Sequence, residues 1–267
     1  MRICMEIGGI VFSVEHESAE WGNLVEKDYR SFLVPGDRSD FSIRVSIVKT
    51  FDGDDSPNPT TSVVHEGRGR YRLLWRDMSG YFDLNTCTSE AVIEPSSRSL
   101  NNLLRSIMAI VLPGRNSLLI HSASFLRNGK AYIFPGVSTA GKSTLSRVTA
   151  EERPECEVLT DEASLVKISS DGPRIFGTPF WGEFRVGGRN VSAPLEGIYF
   201  LEKADNHGIT HIGKTDAFSR LVQNCFSVRN DRTCYSKTID MVHEIVEKIP
   251  ASVLKFRIDS GFWDLIP

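Results

Sequence analysis

Residues 136–144 read Gly-Val-Ser-Thr-Ala-Gly-Lys-Ser-Thr, the pattern G-x-x-x-x-G-K-[ST] in full. No other stretch of the chain constrains the fold as strongly. A loop of this kind works only between a buried strand and the first turn of a helix. The flanks supply both. Lys130-Ala-Tyr-Ile-Phe-Pro135 is a short apolar run bounded by Asn128-Gly129 and by its own proline, which predicts a buried strand. A helix is expected to open at Ser143. In that frame Gly136 and Gly141 allow the bend, and the backbone from Gly136 through Ser138, Thr139, Ala140 and Thr144 cradles phosphate. Lys142 reaches the β- and γ-phosphates, and Ser143 offers its hydroxyl to Mg²⁺. The dipole of the following helix favours the same anion.

The rest of the chain is read around this unit. The first half is β-rich. Residues 3–14 predict a hairpin about Gly8-Gly9, and Phe41–Ile47 alternates apolar and polar as a half-buried strand does. Arg70–Trp75 and Tyr81–Leu84 predict a second hairpin turning through Asp77–Gly80. Asp52–Pro59 is an acidic turn cluster without calcium-ligand spacing, expected as a solvated loop. Helical periodicity over Leu100–Leu112 ends at Pro113-Gly114. A domain boundary is placed near residue 95, giving a small β-rich domain over 1–95 and a nucleotide-binding domain over 96–267. The second part alternates strands (117–121, 130–134, 156–160, 164–168, 197–201) with helices (215–226, 236–249), and 251–258 closes the sheet. The expected class is α/β, a mixed sheet flanked by helices.

Bulk properties exclude several functions. The chain has 267 residues, 40% hydrophobic and 24% charged, with net charge −3. That balance gives no electrostatic support for a nucleic-acid partner. Five scattered cysteines form no CxxC pair, so reduced thiols in the cytoplasm are expected rather than zinc or disulfides. No apolar run of about 18 residues is present for a membrane span.

Three other features bear on chemistry. Glu157-Val-Leu-Thr-Asp161-Glu162 is a short strand ending in two acids, about 20 residues beyond the loop. One acid can hold Mg²⁺ while the other takes a proton from an attacking hydroxyl. His121 ends the preceding strand and could either face the phosphates or brace backbone. Arg185 and Arg189 lie in a Gly-rich stretch after Gly177-Thr-Pro-Phe-Trp-Gly-Glu183. They could present a guanidinium to transferring phosphate or simply be surface charge. Glu202-Lys-Ala-Asp205 faintly resembles the guanine-reading Asn-Lys-x-Asp box of GTPases. The Asn is missing and no Asp-x-x-Gly lies between box and loop, so a GTPase is set aside. An ABC-type ATPase is set aside too, for want of Leu-Ser-Gly-Gly-Gln.

With these residues in view, Leu118–Ser146 resembles the core of HPr kinase/phosphorylase-related proteins, which share a phosphoenolpyruvate carboxykinase-like fold. The family pattern has a histidine on the strand before the loop, as His121 here, and a Leu-x-Asp-Asp strand end, as Leu159-Thr-Asp161-Glu162. Gly177–Trp181, Pro194–Leu201 and Phe262–Ile266 are similar to the smaller, divergent branch. Thr139, Thr144 and Glu162 depart from the pattern. The resemblance, over 96–267, implies an ATP- and Mg²⁺-dependent kinase acting on a hydroxyl, a serine of a peptide or small protein. Asp161 would be the base, with Lys142 and His121 in the catalytic set, and Ser143 and Glu162 would hold the metal. A small-molecule hydroxyl kinase and a nucleotide-binding regulator with little catalysis are the alternatives. An oligomer is compatible with either.

Overall fold

The computed structural model of the chain describes residues 1–36, 38–50, 62–137, 140–182 and 188–267. The acidic cluster at 52–59, Ser138, Thr139 and Arg185 lie outside the described residues. The protein is mixed α/β with mixed sheets, and it divides into two compact units. The first comprises Met1–Val111 with Ser227–Tyr235; the second comprises Leu112–Phe226 with Ser236–Pro267.

The first unit contains β1 (Arg2–Ile7), β2 (Ile10–Glu15), α1 (Ala19–Asp28), β3 (Phe41–Ile47), β4 (Ser62–Gly67), β5 (Arg70–Trp75), β6 (Met78–Asp83), β7 (Thr88–Ile93) and α2 (Ser97–Val111). Its sheet runs β1-β2-β3-β7-β6-β5-β4. The first hairpin turns at Gly8 and Gly9, both at positive φ (62° and 80°), the conformation that a two-residue turn of this hand requires. The β5–β6 hairpin differs from expectation. Trp75 pairs with Met78, so the turn is Arg76-Asp77 and Met78-Ser79-Gly80 belong to the strand. Met78 is fully buried, and a Cβ on Gly80 would stand 2.7 Å from that of Ala91. Gly80 therefore marks a close approach of neighbouring strands rather than a turn.

The second unit contains β8 (Ser117–Arg127), β9 (Lys130–Pro135), α3 (Lys142–Glu152), β10 (Glu157–Thr160), β11 (Ala163–Ser169), β12 (Gly172–Phe176), β13 (Ser192–Lys203), β14 (Gly208–His211), α4 (Lys214–Asn224), β15 (Cys225–Phe226), α5 (Arg232–Lys248) and β16 (Ala251–Phe256). The first turn of α5 counts with the first unit. The sheet path is β10-β8-β11-β12-β13-β16-β14, with β9 pairing β8 and β13, and β15 pairing β8. β14 lies at the edge, so β16, expected to close the sheet, is an inner strand. β9, β13 and β16 run parallel to one another. Apolar side chains from both sheet faces fill two clusters, one around Ile133, Ile198, Leu221 and Val242, the other around Phe125, Phe134, Tyr199 and Trp263.

β8 organises the site. Its first half pairs with β11, from Ser117↔Lys167 to His121↔Ala163. Its second half pairs with β9, from Ser122↔Pro135 to Arg127↔Lys130. The change of partner falls between His121 and Ser122. It brings Gly136, the residue after β9, and Glu162, the residue before β11, to the same point of one strand.

Candidate active site

The described ends of the loop follow the local signals of the sequence. Pro135 ends β9, and the Gly136 N–H donates to the His121 carbonyl at 3.4 Å. Gly141 has φ +106°, a left-handed conformation that side chains resist, and it is the N-cap of α3. It makes no side-chain cap bond, and the Leu145 N–H is the donor that returns to its carbonyl, at 2.9 Å. The first-turn amides of α3 thus open toward the loop without a capping side chain, which is the anion-receiving state of a helix start.

Lys142 is buried to 7% exposure. Its Nζ donates to the carbonyls of Gly136 (2.6 Å) and Val137 (3.2 Å) and to Nε2 of His121 (2.8 Å). An ammonium can only donate, so Nε2 of His121 accepts and the ring proton sits on Nδ1. Nδ1 then donates to the backbone carbonyl of Glu162 at 3.1 Å. The Glu162 carboxylate lies 3.7 Å from the same nitrogen. A continuous polar line therefore joins the loop, Lys142, His121 and the acid pair. Of the two roles that the sequence left open for His121, the ring takes the backbone brace, and its other nitrogen accepts from the loop lysine.

The acid pair is held from the other side. Thr160 Oγ1 donates to the Phe180 carbonyl at 2.7 Å and accepts from the N–H groups of Glu162 and Ala163, both at 3.2 Å. Asp161 is 1% exposed, and its Oδ1 accepts from the Gly182 N–H at 2.8 Å. A Cβ on Gly182 would lie 3.0 Å from Oε2 of Glu162 and 3.5 Å from Oδ2 of Asp161. The aromatic turn 177–182 is thus the lid on the carboxylates, and Thr160, Phe180 and Gly182 are site residues that motif reading passed over. The signal was present, since a glycine next to Trp181 in a compact turn permits close backbone approach.

Arg189 is placed elsewhere. It pairs with Glu157 at 3.2 Å, at the start of β10, whereas the acid pair follows the end of that strand. Four residues of strand separate the two by about 13 Å. Ser143 and Thr144 lie in the first turn of α3, both half-buried. Among the described residues no three His, Cys, Asp or Glu side chains cluster as a self-sufficient metal site. A nucleotide-borne Mg²⁺ does not need one, because phosphates and water supply most of its six oxygens. A hydroxyl and a carboxylate, as Ser143 and Glu162 carry, are the donor type it takes.

No described helix is long and apolar enough to cross a membrane. Residues 92–267 match the model of a family described as SynChlorMet cassette protein ScmC. A search of curated proteins returned no match.

Proposed function

The chain belongs to the ScmC family of SynChlorMet cassette proteins, whose matched stretch holds the entire loop site, and from that site we propose a Mg²⁺-dependent kinase. It would transfer the terminal phosphoryl group of a nucleoside triphosphate to a hydroxyl. The favoured acceptor is a serine of a peptide or small protein. The carrying observation is the polar line from Lys142 through His121 to Glu162, which ties the phosphate loop to an acid pair whose first member, Asp161, is buried. A phosphoenolpyruvate carboxykinase-like fold and a cytoplasmic setting belong to the same proposal.

In this reading the loop amides and the first turn of α3 hold the phosphates, and Lys142 turns from the loop carbonyls to the β- and γ-oxygens. Mg²⁺, held by Ser143 and Glu162, would supply charge neutralisation between those phosphates. The acceptor oxygen bonds to the γ-phosphorus, the bond from that phosphorus to the β,γ-bridging oxygen breaks, and Asp161 takes the hydroxyl proton. The nucleoside diphosphate leaves. His121 fixes Lys142 at one nitrogen and the acid-pair backbone at the other.

The test is transfer of label from γ-labelled ATP and GTP to serine-bearing peptides, alongside the Lys142→Ala variant. Label on a serine, lost in that variant, is the expected result. Nucleotide binding without transfer to any hydroxyl would favour the regulator.

A further inference from the structure

Three parallel strands run toward the loop, β9 stopping short of the level at which β13 and β16 end. β9 runs into Gly136, β13 ends at Lys203 and β16 ends at Phe256, with Lys203 and Phe256 in register. Ligands of open sheets sit beyond such carboxyl ends. Here the place is a cleft of about 650 Å³ lined by Gly141, Thr144, Lys203, Asp205, Phe256 and Ile258. It adjoins the phosphate site directly, since Gly141 caps α3 and Thr144 is in its first turn. The Ala204 N–H donates to the Phe256 carbonyl at 3.0 Å, which makes one wall of two strand ends. A Cβ on Gly141 would stand 2.8 Å from Cζ of Phe256 and 3.8 Å from Cε of Lys203.

The lining chemistry differs from that of a phosphate site. Ile258 is 72% exposed and presents an apolar surface to the cleft. The Lys203 stem adds a second apolar surface beneath its charged head. Such a pair offers the kind of surface against which a flat heterocycle can pack. Asp205 is exposed on the same wall, and among the described residues its carboxylate has no hydrogen-bond or ion-pair partner. An ionised carboxylate only accepts. Guanine offers it two parallel donors on one edge, N1–H and the 2-amino group. Adenine offers one donor and one lone pair, so one carboxylate oxygen would face a lone pair.

We propose that this cleft holds the base of the loop-bound nucleotide and that Asp205 selects guanine over adenine, making the phosphoryl donor a guanine nucleotide. The assignment rests on the reading of 136–144 as a phosphate site. The features whose absence set a GTPase aside, an asparagine before Lys203 and an Asp-x-x-Gly motif, are not needed for a carboxylate to read this edge.

Calorimetric titration of the full chain with Mg²⁺ and GDP, ADP or pyrophosphate separates the two levels. GDP should bind about tenfold or more tighter than ADP, the usual worth of a bidentate base contact. Asp205→Asn, at an exposed position, should weaken GDP by a similar factor and leave pyrophosphate unchanged. It should also admit xanthosine diphosphate, whose 2-oxo group accepts from a carboxamide. Equal affinity for GDP and ADP, or undiminished GDP binding by Asp205→Asn, overturns the guanine assignment and leaves the phosphate site standing. Failure of pyrophosphate and both nucleotides to bind overturns the phosphate site, and the cleft assignment with it.

Discussion

Lys142 directs its ammonium into its own loop, onto the Gly136 and Val137 carbonyls and His121. Under the proposed function, phosphate binding would be an exchange of partners rather than the capture of a loose cation. Lys142→Ala should weaken Mg²⁺–nucleotide binding about 10- to 100-fold, the range for losing a charged hydrogen-bond donor. Unchanged affinity by calorimetry would remove 136–144 from the site. The two acids should separate by role. Asp161→Asn keeps size and the Gly182 contact but loses the charge. It should retain nucleotide binding and slow transfer by about 10²–10⁴-fold. Glu162→Gln should instead raise the Mg²⁺ concentration needed for half-maximal rate, because a neutral amide is a poorer ligand. Transfer by both variants at the wild-type rate under limiting Mg²⁺ would make the pair structural.

At the scale of elements, the strand, loop and helix around Gly141 were legible because each local signal agreed with the others. The hairpin at Asn128-Gly129 was equally plain, and both residues take positive φ, at 51° and 76°. The full length of β8 was not. Ser122 and Ser124 break its apolar run, so the strand reads as ending at His121. They are nonetheless fully buried, and Ser122 Oγ donates to Ser164 at 2.7 Å. A polar residue whose partner is another strand's side chain carries no trace of that partner in local sequence. For the cover of the acid pair the glycine beside Trp181 was a legible signal, but its partner was not, since Gly182 and Phe180 act through backbone atoms. Two predictions belong here. Gly141→Ala forces a side chain into φ +106° and against the Phe256 ring, which should cost about 1–3 kcal/mol in a denaturant melt. A melt within a few tenths of wild type would mean that the loop relaxes freely. The turn after β16 carries the second. The His207 bond at 2.6 Å, with the Gly261 N–H next, pulls the Asp259 carboxyl down to about 2. Because the folded value is depressed, its contribution is complete above the ordinary carboxylate range and lost as pH falls from about 4 to about 2. The stability gap between wild type and Asp259→Asn should be level at pH 5–7 and shrink through that window. A gap independent of pH would detach the carboxylate from acid stability.

At the scale of the whole molecule, the family match and the compact units do not coincide. The match begins at Val92 inside β7, and it includes α2 and Ser227–Tyr235, all counted with the first unit. Within that unit the Tyr71 hydroxyl donates to Asp231 at 2.6 Å, and the His65 ring stacks on Tyr71 at 4.7 Å. Asp231 also accepts from the N–H groups of Thr233 and Cys234, both at 3.0 Å. Tyr71→Phe should cost about 1–3 kcal/mol, since it strips a donor from a nearly buried carboxylate. The fragment 1–111, lacking Asp231 altogether, should unfold at lower denaturant than the same unit in the full chain. A fragment as stable as the parent would show that 227–235 contributes nothing to it. Because the chain leaves the second unit after Phe226 and rejoins it at Ser236, no single cut yields both units whole. A crossover at one breakpoint therefore cannot carry either of them whole from one chain to another.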